Sequence, residues 1–378
     1  MVNLIKLNLD NNVVINNEIV NYKSPSKIYL PVFENVSLRE KQYIYKNSRI
    51  GKYASPISGY VSSVKKISIN NKLVNSIEIV NDYKENIKKK QEKFEANNYS
   101  DFLEFLSNNY LNNIKKEFTG VNSIKNLIVS AIDEENAQNE FVRLAESYAE
   151  ISETIDFLKN ILNINHAHLA IKNTDYKSIK NVKSIIGTYL DIEINLVPNK
   201  YLIGNKHFLC DYLNIKEDET VVLSASDVYN VYLAKKGKDT SLKYISIYGD
   251  EIKSGIVVCS KLYCSVKEIL DDLNINHEGD FDIYINGELG GWKVDNLDSI
   301  IVTEELNSVI INRHKDYIET LCINCGMCKK VCPFGINVKK NYFNNIKNNK
   351  CIGCGLCNYY CPAKILLKEK VFGDNYEK

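Results

Sequence analysis

One cysteine pattern occurs twice near the end of this chain and constrains the fold more than any other feature. Residues 322–333 read CINCGMCKKVCP and residues 351–362 read CIGCGLCNYYCP, so both follow the spacing C-x2-C-x2-C-x3-C-P. These two copies contain eight of the 11 cysteines in 378 residues. Cysteines concentrated in this way favour metal ligation over disulfide bonds in a cytoplasmic protein.

The short spacings suit a cubane iron–sulfur cluster, because one loop can supply three of its four thiolates. In bacterial two-cluster ferredoxins, which share this run, the fourth cysteine of each block ligates the other cluster. We therefore predict two [4Fe–4S] clusters, one ligated by Cys322, Cys325, Cys328 and Cys361, and the other by Cys351, Cys354, Cys357 and Cys332. The alternative is a pair of zinc sites, but zinc knuckles need only C-x2-C and do not require the third and fourth cysteines of each block.

The residues between the cysteines agree with this prediction. Gly326 and Gly355 follow the second cysteine of each block, where freedom in φ lets backbone N–H groups turn toward sulfur. Because all eight thiolates are used, neither cluster has an open coordination site. We therefore expect single-electron transfer from this region, with no catalytic residue of its own.

Overall charge and hydropathy exclude some functions. The 48 basic residues nearly balance the 47 acidic ones, so no basic field argues for nucleic acid as a partner. No run of 18 apolar residues predicts a spanning helix, and the N-terminus lacks the pattern of a signal peptide. We expect a cytoplasmic protein that reaches the inner face of a membrane only through partner subunits.

Upstream of the cysteines, periodicity predicts a multidomain α/β and α+β protein. Residues 1–82 read as short strands of a barrel-sandwich β module, 83–120 as a helical linker with a helix–turn–helix, and 121–238 as an α/β domain with a parallel sheet. A strand-rich β-grasp unit follows at 239–300 and a helical two-cluster ferredoxin domain at 301–378, in which 303–321 is predicted to be helical. Residues 175–190 are also predicted to form a helix, and Lys88, Lys89 and Lys90 to form a solvated face.

This order of parts resembles the RnfC family, the soluble subunits of Rnf ferredoxin:NAD oxidoreductases, and its relatives, among them the proline-reductase-associated electron-transfer protein. The similarity is strongest at 322–362 and at KIYLP and GKYASPISGYV, and weaker at IKNLIVSAIDEE and VVLSASDVYNVYLAKKG. The resemblance implies transfer of electrons to or from a ferredoxin, a flavoprotein, an amino-acid reductase or Rnf membrane subunits.

The chain departs from the family where members bind FMN and NADH. A glycine-rich loop of the GGAGFPT type is replaced by NNIKKEFTGVNSIKN, in which only Gly120 remains. The family's acidic segment of the form NAxECEPY becomes SAIDEENAQNE, in which Asp133, Glu134 and Glu135 are the acids that correspond to it. The family's GGPMMG-like segment becomes NGELGGWKV, in which Gly290 and Gly291 are shifted in position. We therefore expect a degenerate flavin and NADH site that no longer binds nucleotide.

Other residues with chemical potential have simpler interpretations. Cys210, Cys259 and Cys264 lie in apolar surroundings and are expected to be core residues rather than redox or metal ligands. The pair His166 and His168 lacks neighbouring ligands, and Trp292 is expected to be a packing anchor.

Three function classes are compatible with these patterns. The favoured one is an RnfC-like electron-transfer protein without a substrate of its own. The alternative is an NADH-oxidising, flavin-dependent subunit of an Rnf-type ferredoxin:NAD oxidoreductase. A third is a scaffold in which the clusters only stabilise the C-terminal domain.

Overall fold

A computed structural model describes residues 15–32, 38–87, 98–174, 180, 191–250, 252, 255–277, 279–314, 316 and 318–372. Its strands are β1 (Ile15–Tyr22), β2 (Lys27–Val32), β3 (Tyr43–Ile44), β4 (Arg49–Ile50), β5 (Tyr53–Ala54), β6 (Gly59–Ile69), β7 (Lys72–Asn81), β8 (Asn126–Ser130), β9 (Ala167–Lys172), β10 (Ile192–Val197), β11 (Thr220–Ser224), β12 (Leu242–Tyr248), β13 (Gly255–Lys261), β14 (Phe281–Ile285), β15 (Trp292–Val294) and β16 (Ser308–Arg313). Its helices are α1 (Tyr99–Asn108), α2 (Asn112–Thr119), α3 (Asn139–Leu162), α4 (Lys206–Leu213), α5 (Ala225–Lys235), α6 (Val266–Asp272), α7 (Met327–Lys330), α8 (Val338–Phe343), α9 (Leu356–Tyr359) and α10 (Leu367–Val371). The predicted lysine face at 88–90 and, apart from residue 180, the predicted helix at 175–190 lie outside the described residues.

The N-terminal β unit is a four-stranded antiparallel sheet in the order β2-β7-β6-β3, with the small β4–β5 pair beside it. Alternating apolar residues of β2 and β7, such as Ile28, Leu30 and Ile77, are buried in its core. Pro31 has no N–H to donate and is accommodated because β2 is an edge strand. The prediction of short strands in this part of the chain is confirmed.

The α/β unit contains a parallel sheet in the order β10-β9-β8-β11, as the alternating pattern predicts. Helices α3 and α5 pack on one face, and α4 packs on the other, where Leu209 and Cys210 are buried. Helix α5 begins with a capping box between Ser224 and Asp227, and Gly237, at φ +64°, follows its end. The stretch VVLSASDVYNVYLAKKG, residues 221–237, predicts a short strand leading into a helix that ends at Gly237, and β11 and α5 confirm this.

Helices α1 and α2 form the helix–turn–helix expected between residues 94 and 118. Their Phe102, Phe105 and Phe118 are buried in the same core as Leu127 and Val129 of β8. The region predicted as a linker therefore packs as part of the α/β unit, because its apolar face has a hydrophobic surface to cover.

The third sheet has six strands in the order β1-β13-β12-β16-β14-β15, with α6 packed in its core. Two of its strands lie outside the predicted 239–300 segment. Strand β1, predicted with the N-terminal module, pairs in parallel with β13. The helix predicted for 303–321 is wrong where β16 forms, between β12 and β14. Val309, Ile310 and Ile311 are all buried, and a central strand covered on both faces loses the alternation that distinguishes it from a buried helix.

The C-terminal unit consists of four short helices, α7 to α10, and the loops that carry both cysteine blocks. Each block has a loop followed by a short helix, α7 or α9. Ile336, Val338, Ile365, Leu367 and Val371 form a small core between the blocks. Several of the block cysteines pack against that core.

Candidate metal centre

The two cysteine blocks adopt the same local backbone geometry. Gly326 has φ +74° and Gly355 has φ +72°, and each stands at the N-terminal cap of the following helix, α7 or α9. Two residues earlier, Asn324 and Gly353 also have positive φ, at 58° and 69°. These left-handed residues fold each block into a tight loop that carries three thiols.

The structure places Cys361 with the first block rather than with its own. One small cavity is lined by the thiol-bearing residues Cys322, Cys325, Cys328 and Cys361 together with Ile323 and Phe343. The charges of Cys325 and Cys361 also act on Cys328. We call these four cysteines the outer site.

Cys332 lies with the second block in the same reciprocal way. Burial, with a contribution from the nearby Cys332 and Cys351 thiols, raises the pKa of Cys354 to about 11 and that of Cys357 to about 12. Cys332 acts on the Cys351 thiol as well. We call Cys351, Cys354, Cys357 and Cys332 the inner site.

Backbone N–H groups point at these sulfurs. The Cys351 sulfur accepts a hydrogen bond from the N–H of Gly353, and the Cys354 sulfur accepts one from Leu356. The Cys328 sulfur accepts from the N–H groups of Lys329 and Lys339. Such donors stabilise anionic thiolates and cluster sulfur, so both sets of residues fit a [4Fe–4S] cluster.

The two sites differ in their surroundings. In the outer site Cys325 is exposed, and a Cβ built on Gly326 meets no atom within 4 Å. In the inner site, a Cβ on Gly355 would lie 2.1 Å from the carbonyl oxygen of Leu289. The outer site therefore reaches solvent at Cys325, although its Cys361 is buried, whereas the inner site is packed against the body of the protein.

The α/β unit supplies much of the cover over the inner site. The Tyr201 hydroxyl donates a hydrogen bond to the Cys354 carbonyl oxygen at 2.7 Å. Tyr201, Leu202 and Phe208 form an apolar cluster with Leu356, which follows Cys354 in the chain. This contact excludes water from one side of the inner site.

The segment 287–291, between β14 and β15, covers another side and is held by the half-buried Glu135 and the buried Lys368. The Glu135 carboxylate accepts from the backbone N–H groups of Glu288 at 2.7 Å, Leu289 at 3.1 Å and Gly290 at 3.0 Å. From the other side, the Lys368 ammonium donates to the carbonyl oxygens of Leu289, at 2.9 Å, and Gly291.

Lys368 is only 3% exposed. Burial lowers its pKa, and the charges of Glu369, Glu135, Cys357 and Cys354 oppose that shift. Its ammonium lies 4.5 Å from the centre of the Trp292 ring, so Trp292 packs as an anchor, as expected. Sequence reasoning assigned no role at the centre to Tyr201 or Lys368, because neither belongs to a motif.

The carboxylates of the acidic segment after β8 accept hydrogen bonds from backbone N–H groups of this chain. The Asp133 carboxylate accepts from the N–H groups of Glu140 and Phe141 at the start of α3, each at 3.0 Å. Glu134 accepts from Leu202 at 2.9 Å and Gly204 at 2.8 Å. N–H groups that would suit a phosphate are thus occupied by carboxylates.

Gly120 does not form a phosphate cradle either, since it caps the C-terminal end of α2 instead of opening a helix. The described residues around Gly120 and Asp133 therefore do not fit a flavin phosphate.

A cavity of about 480 Å³ lies at the carboxyl ends of β8 and β11, next to these acids. Asp133, Glu140, Asp227 and Glu304 line it, with Arg143 and Lys243 as cations. Burial and then the Asp133 charge raise the pKa of Glu140 to about 7. The cavity wall is therefore mixed in charge, with more carboxylates than cations among these side chains.

The remaining candidates have structural roles. Cys210, Cys259 and Cys264 are all buried, as expected for core cysteines. His166 is exposed, and Nδ1 of His168 lies 3.0 Å from Oδ1 of Asn195.

Across the described residues, no group of three or more His, Cys, Asp or Glu side chains is arranged to hold a single metal ion. Among the same residues, no helix is long and apolar enough to span a membrane.

Comparison with known protein families supports the assignment of the cysteine blocks to an iron–sulfur domain. Residues 321–366 match the family described as the 4Fe-4S dicluster domain. The C-terminal unit is therefore an iron–sulfur domain of the 4Fe-4S type, which confirms the iron–sulfur and electron-transport predictions.

Longer similarities involve one type of protein, the C subunit of an ion-translocating oxidoreductase complex. The chain is 24% identical over 216 residues to this protein from Pasteurella multocida, covering 53% of this chain and 26% of that protein. It is 23% identical over 249 residues to the protein of the same name in Buchnera aphidicola, covering 61% and 51%. The chain thus spans between about a quarter and a half of the relatives it matches. Among solved structures, the NAD+-reducing [NiFe]-hydrogenase in the H2-reduced state aligns with a TM-score of 0.46 and 10% identity, over 68% of this chain and 59% of that chain.

Proposed function

We propose that this chain is an RnfC-like electron-transfer protein that relays single electrons through two [4Fe–4S] clusters between a redox donor and a partner reductase or membrane complex. The observation that carries the proposal is the reciprocal exchange of the fourth cysteines. Cys361 lines the cavity of the first block's cysteines and the charge of Cys332 acts on Cys354 of the second, which supports crossed ligation of two clusters.

In this function each site has a defined task. A bound cluster supplies one-electron chemistry at a potential set by its surroundings. The thiolates of each site bind it, and the N–H groups of Gly353 and Leu356 stabilise charge on the inner sulfurs. Tyr201 and Leu202 exclude water from the inner site, while the exposed Cys325 leaves the outer site open to a partner.

The rest of the chain has a supporting role in this proposal. The α/β unit and the segment 287–291 hold the inner site, and the barrel-sandwich, α/β and β-grasp units dock partner subunits. We propose a cytoplasmic protein that associates with the inner face of the membrane through those subunits. Its partners are a ferredoxin, a flavoprotein, an amino-acid reductase or Rnf membrane subunits, and no nucleotide is bound.

The ligation is tested by serine substitutions in protein prepared without oxygen. Cys361→Ser should damage the same cluster signal as Cys325→Ser, although Cys361 belongs to the second block. Cys332→Ser should damage the same cluster signal as Cys354→Ser, although Cys332 belongs to the first block. Iron content and electron paramagnetic resonance of the dithionite-reduced protein are the measurements, and Cys210→Ser is the control that leaves both unchanged. Colourless protein, or zinc in place of iron, would overturn the proposal.

A second candidate function is that of an NADH-oxidising, flavin-dependent subunit. The cavity beside β8 and β11 favours it, because its volume of about 480 Å³ is in the range of a small-molecule site. Carboxyl groups outnumber Arg143 and Lys243 in its wall and disfavour phosphate, which supports electron transfer without nucleotide. Adding NADH to cluster-loaded protein decides between the two. Bleaching of the cluster absorbance by NADH alone, or flavin released on denaturation, would establish the second candidate.

A further inference from the structure

The segment that carries the cysteine blocks has a net positive charge, unlike the rest of the chain. Residues 321–372 contain nine lysines and one glutamate, with no other charged residue, whereas the whole chain has a net charge of +1. The charges elsewhere are therefore slightly acidic in sum, and the C-terminal unit is a basic region on an otherwise balanced protein. Such a local field acts on partners at a distance.

Three of these lysines lie exposed on the helix within the first block and on the helix that follows the block. Lys329 and Lys330 end α7, and Lys340 lies in α8. Among the described residues, none of the three forms an ion pair with a carboxylate. By contrast, Lys46 and Lys261 in the body share Asp239 at 2.9 Å and 2.7 Å. The lysines beside the outer site are thus available to an external anion.

Large apolar side chains are exposed beside the same lysines. Leu321 is 91% exposed, Ile323 is 67% exposed and Phe343 is 57% exposed. Ile323 and Phe343 also line the cavity that the four outer cysteines share, so they border the cluster position directly. Exposed aliphatic and aromatic groups rimmed by charge are typical of a protein interaction surface.

We propose that this outer face, formed by Leu321, Ile323, Lys329, Lys330, Lys340 and Phe343, docks a small acidic electron-carrier protein. The inference rests on the proposed electron-transfer function and names the partner and the place where it binds. The lysines attract the carrier at long range, and the apolar side chains make the close contact beside Cys325. The inner site is packed against Tyr201 and Leu289, which leaves the outer face as the exposed approach among the described surfaces.

A redox protein fits this surface better than another polyanion does. The exposed apolar side chains border the cluster cavity, so an occupant at this position lies at the point where an electron enters or leaves. An anionic lipid surface would bind the same lysines, but its binding does not require exposed apolar side chains next to the cluster cavity. Binding of anionic lipid is therefore an outcome that the experiment separates.

The test uses the full chain with both clusters loaded, and a small acidic two-cluster ferredoxin as the probe. Anaerobic calorimetry measures binding at low and high ionic strength for the unaltered protein and for Lys330→Glu/Lys340→Glu. The matched control is Lys41→Glu/Lys66→Glu, which makes the same change of charge at exposed lysines of the N-terminal β unit. Iron content and paramagnetic resonance are recorded first for each protein.

We expect the unaltered protein and the control to bind the ferredoxin, with affinity that falls as salt rises. The Lys330→Glu/Lys340→Glu protein should bind at least about tenfold more weakly at low salt. A fully loaded protein that does not bind the ferredoxin, or whose binding is unaffected by salt or by the two substitutions, overturns this inference and leaves the proposed function standing. Flotation with phosphatidylserine vesicles but no ferredoxin binding also overturns it, in favour of a membrane surface. Failure to load iron is instead a failure of the proposed function.

Discussion

The hydroxyl of Tyr201 donates a hydrogen bond to the carbonyl oxygen of Cys354 at 2.7 Å, and this contact ties the α/β unit to the inner site. The two residues are 153 positions apart in the chain. The inner cysteines therefore form part of an interface with the body, while the outer site has one exposed cysteine, Cys325. Because of this asymmetry, equivalent substitutions in the two blocks should have unequal effects.

Replacing Tyr201 by phenylalanine removes the hydrogen bond and keeps the ring. The free energy of unfolding should fall by about 0.5–1.5 kcal/mol, since a buried carbonyl loses its partner. Urea denaturation of the cluster-loaded protein is the measurement. Tyr212→Phe, at an exposed tyrosine of α4, is the control, and an equal effect of the two substitutions would contradict the role of the Tyr201 hydroxyl.

Alanine at Gly355 and at Gly326 should have unequal effects, although the two glycines occupy equivalent positions with nearly equal φ. Both variants adopt an unfavourable left-handed backbone, at a cost of about 1 kcal/mol. At Gly355 the new Cβ also meets the Leu289 carbonyl oxygen at 2.1 Å, whereas at Gly326 it meets nothing within 4 Å. We expect Gly355→Ala to lower the thermal midpoint of unfolding far more than Gly326→Ala does. Similar midpoints for the two variants would show that the inner block is not docked.

The buried ammonium of Lys368 should raise the reduction potential of the inner cluster, because a positive charge near Cys354 and Cys357 stabilises the added electron. Lys368→Met should shift that cluster to lower potential and leave the outer one unchanged, and Lys368→Arg should restore part of the shift. Redox titration followed by paramagnetic resonance separates the two clusters.

Lys370→Met is the matched control for this prediction. Lys370 is exposed and lies 4.6 Å from the centre of the Tyr342 ring. Its removal changes the net charge by the same amount at a more solvated position, where screening is stronger. If both methionine variants shift the inner cluster equally, the buried position of Lys368 has no special effect.

Glu304 should make stability depend on pH. Burial, and then the charge of Glu305, raise the pKa of Glu304 from 4.5 to about 7. A carboxyl group with a raised pKa in the folded state binds its proton more tightly there, so stability is present below the unfolded pKa and is lost as pH rises toward 7. Glu304→Gln keeps an acceptor for the Asn113 amide and removes the charge.

The glutamine variant should therefore match the unaltered protein near pH 5 and exceed it by about 1–2 kcal/mol at pH 8, a value discounted because Glu304 is partly exposed. Urea denaturation from about pH 5 to pH 8 is the measurement. Glu40→Gln, at an exposed position, serves as the control and should show no such dependence. A constant difference across the range would argue against the raised pKa.

Much of the fold followed from local patterns. The parallel strands of the α/β unit, the capping box at Ser224 and the left-handed glycines of the cysteine blocks are all encoded within a few residues. The sequence predicts a helix where strand β16 forms, because Val309 to Ile311 are buried on both faces and lack the alternation of apolar and polar residues that marks a strand. The place of β1 was also missed, since its partner β13 lies more than 200 residues away and no local signal selects it.

The sequence by itself predicts the ligand set that we propose, because the spacing of each block limits which thiolates a single loop can offer to one cluster. It did not determine which cluster is buried, since the two blocks are nearly identical. That difference arises only in the tertiary structure, where Glu135 and Lys368 hold the 287–291 segment against Gly355 and leave Gly326 open. The physical reason is that burial depends on contacts between residues distant in the chain, which no local pattern records.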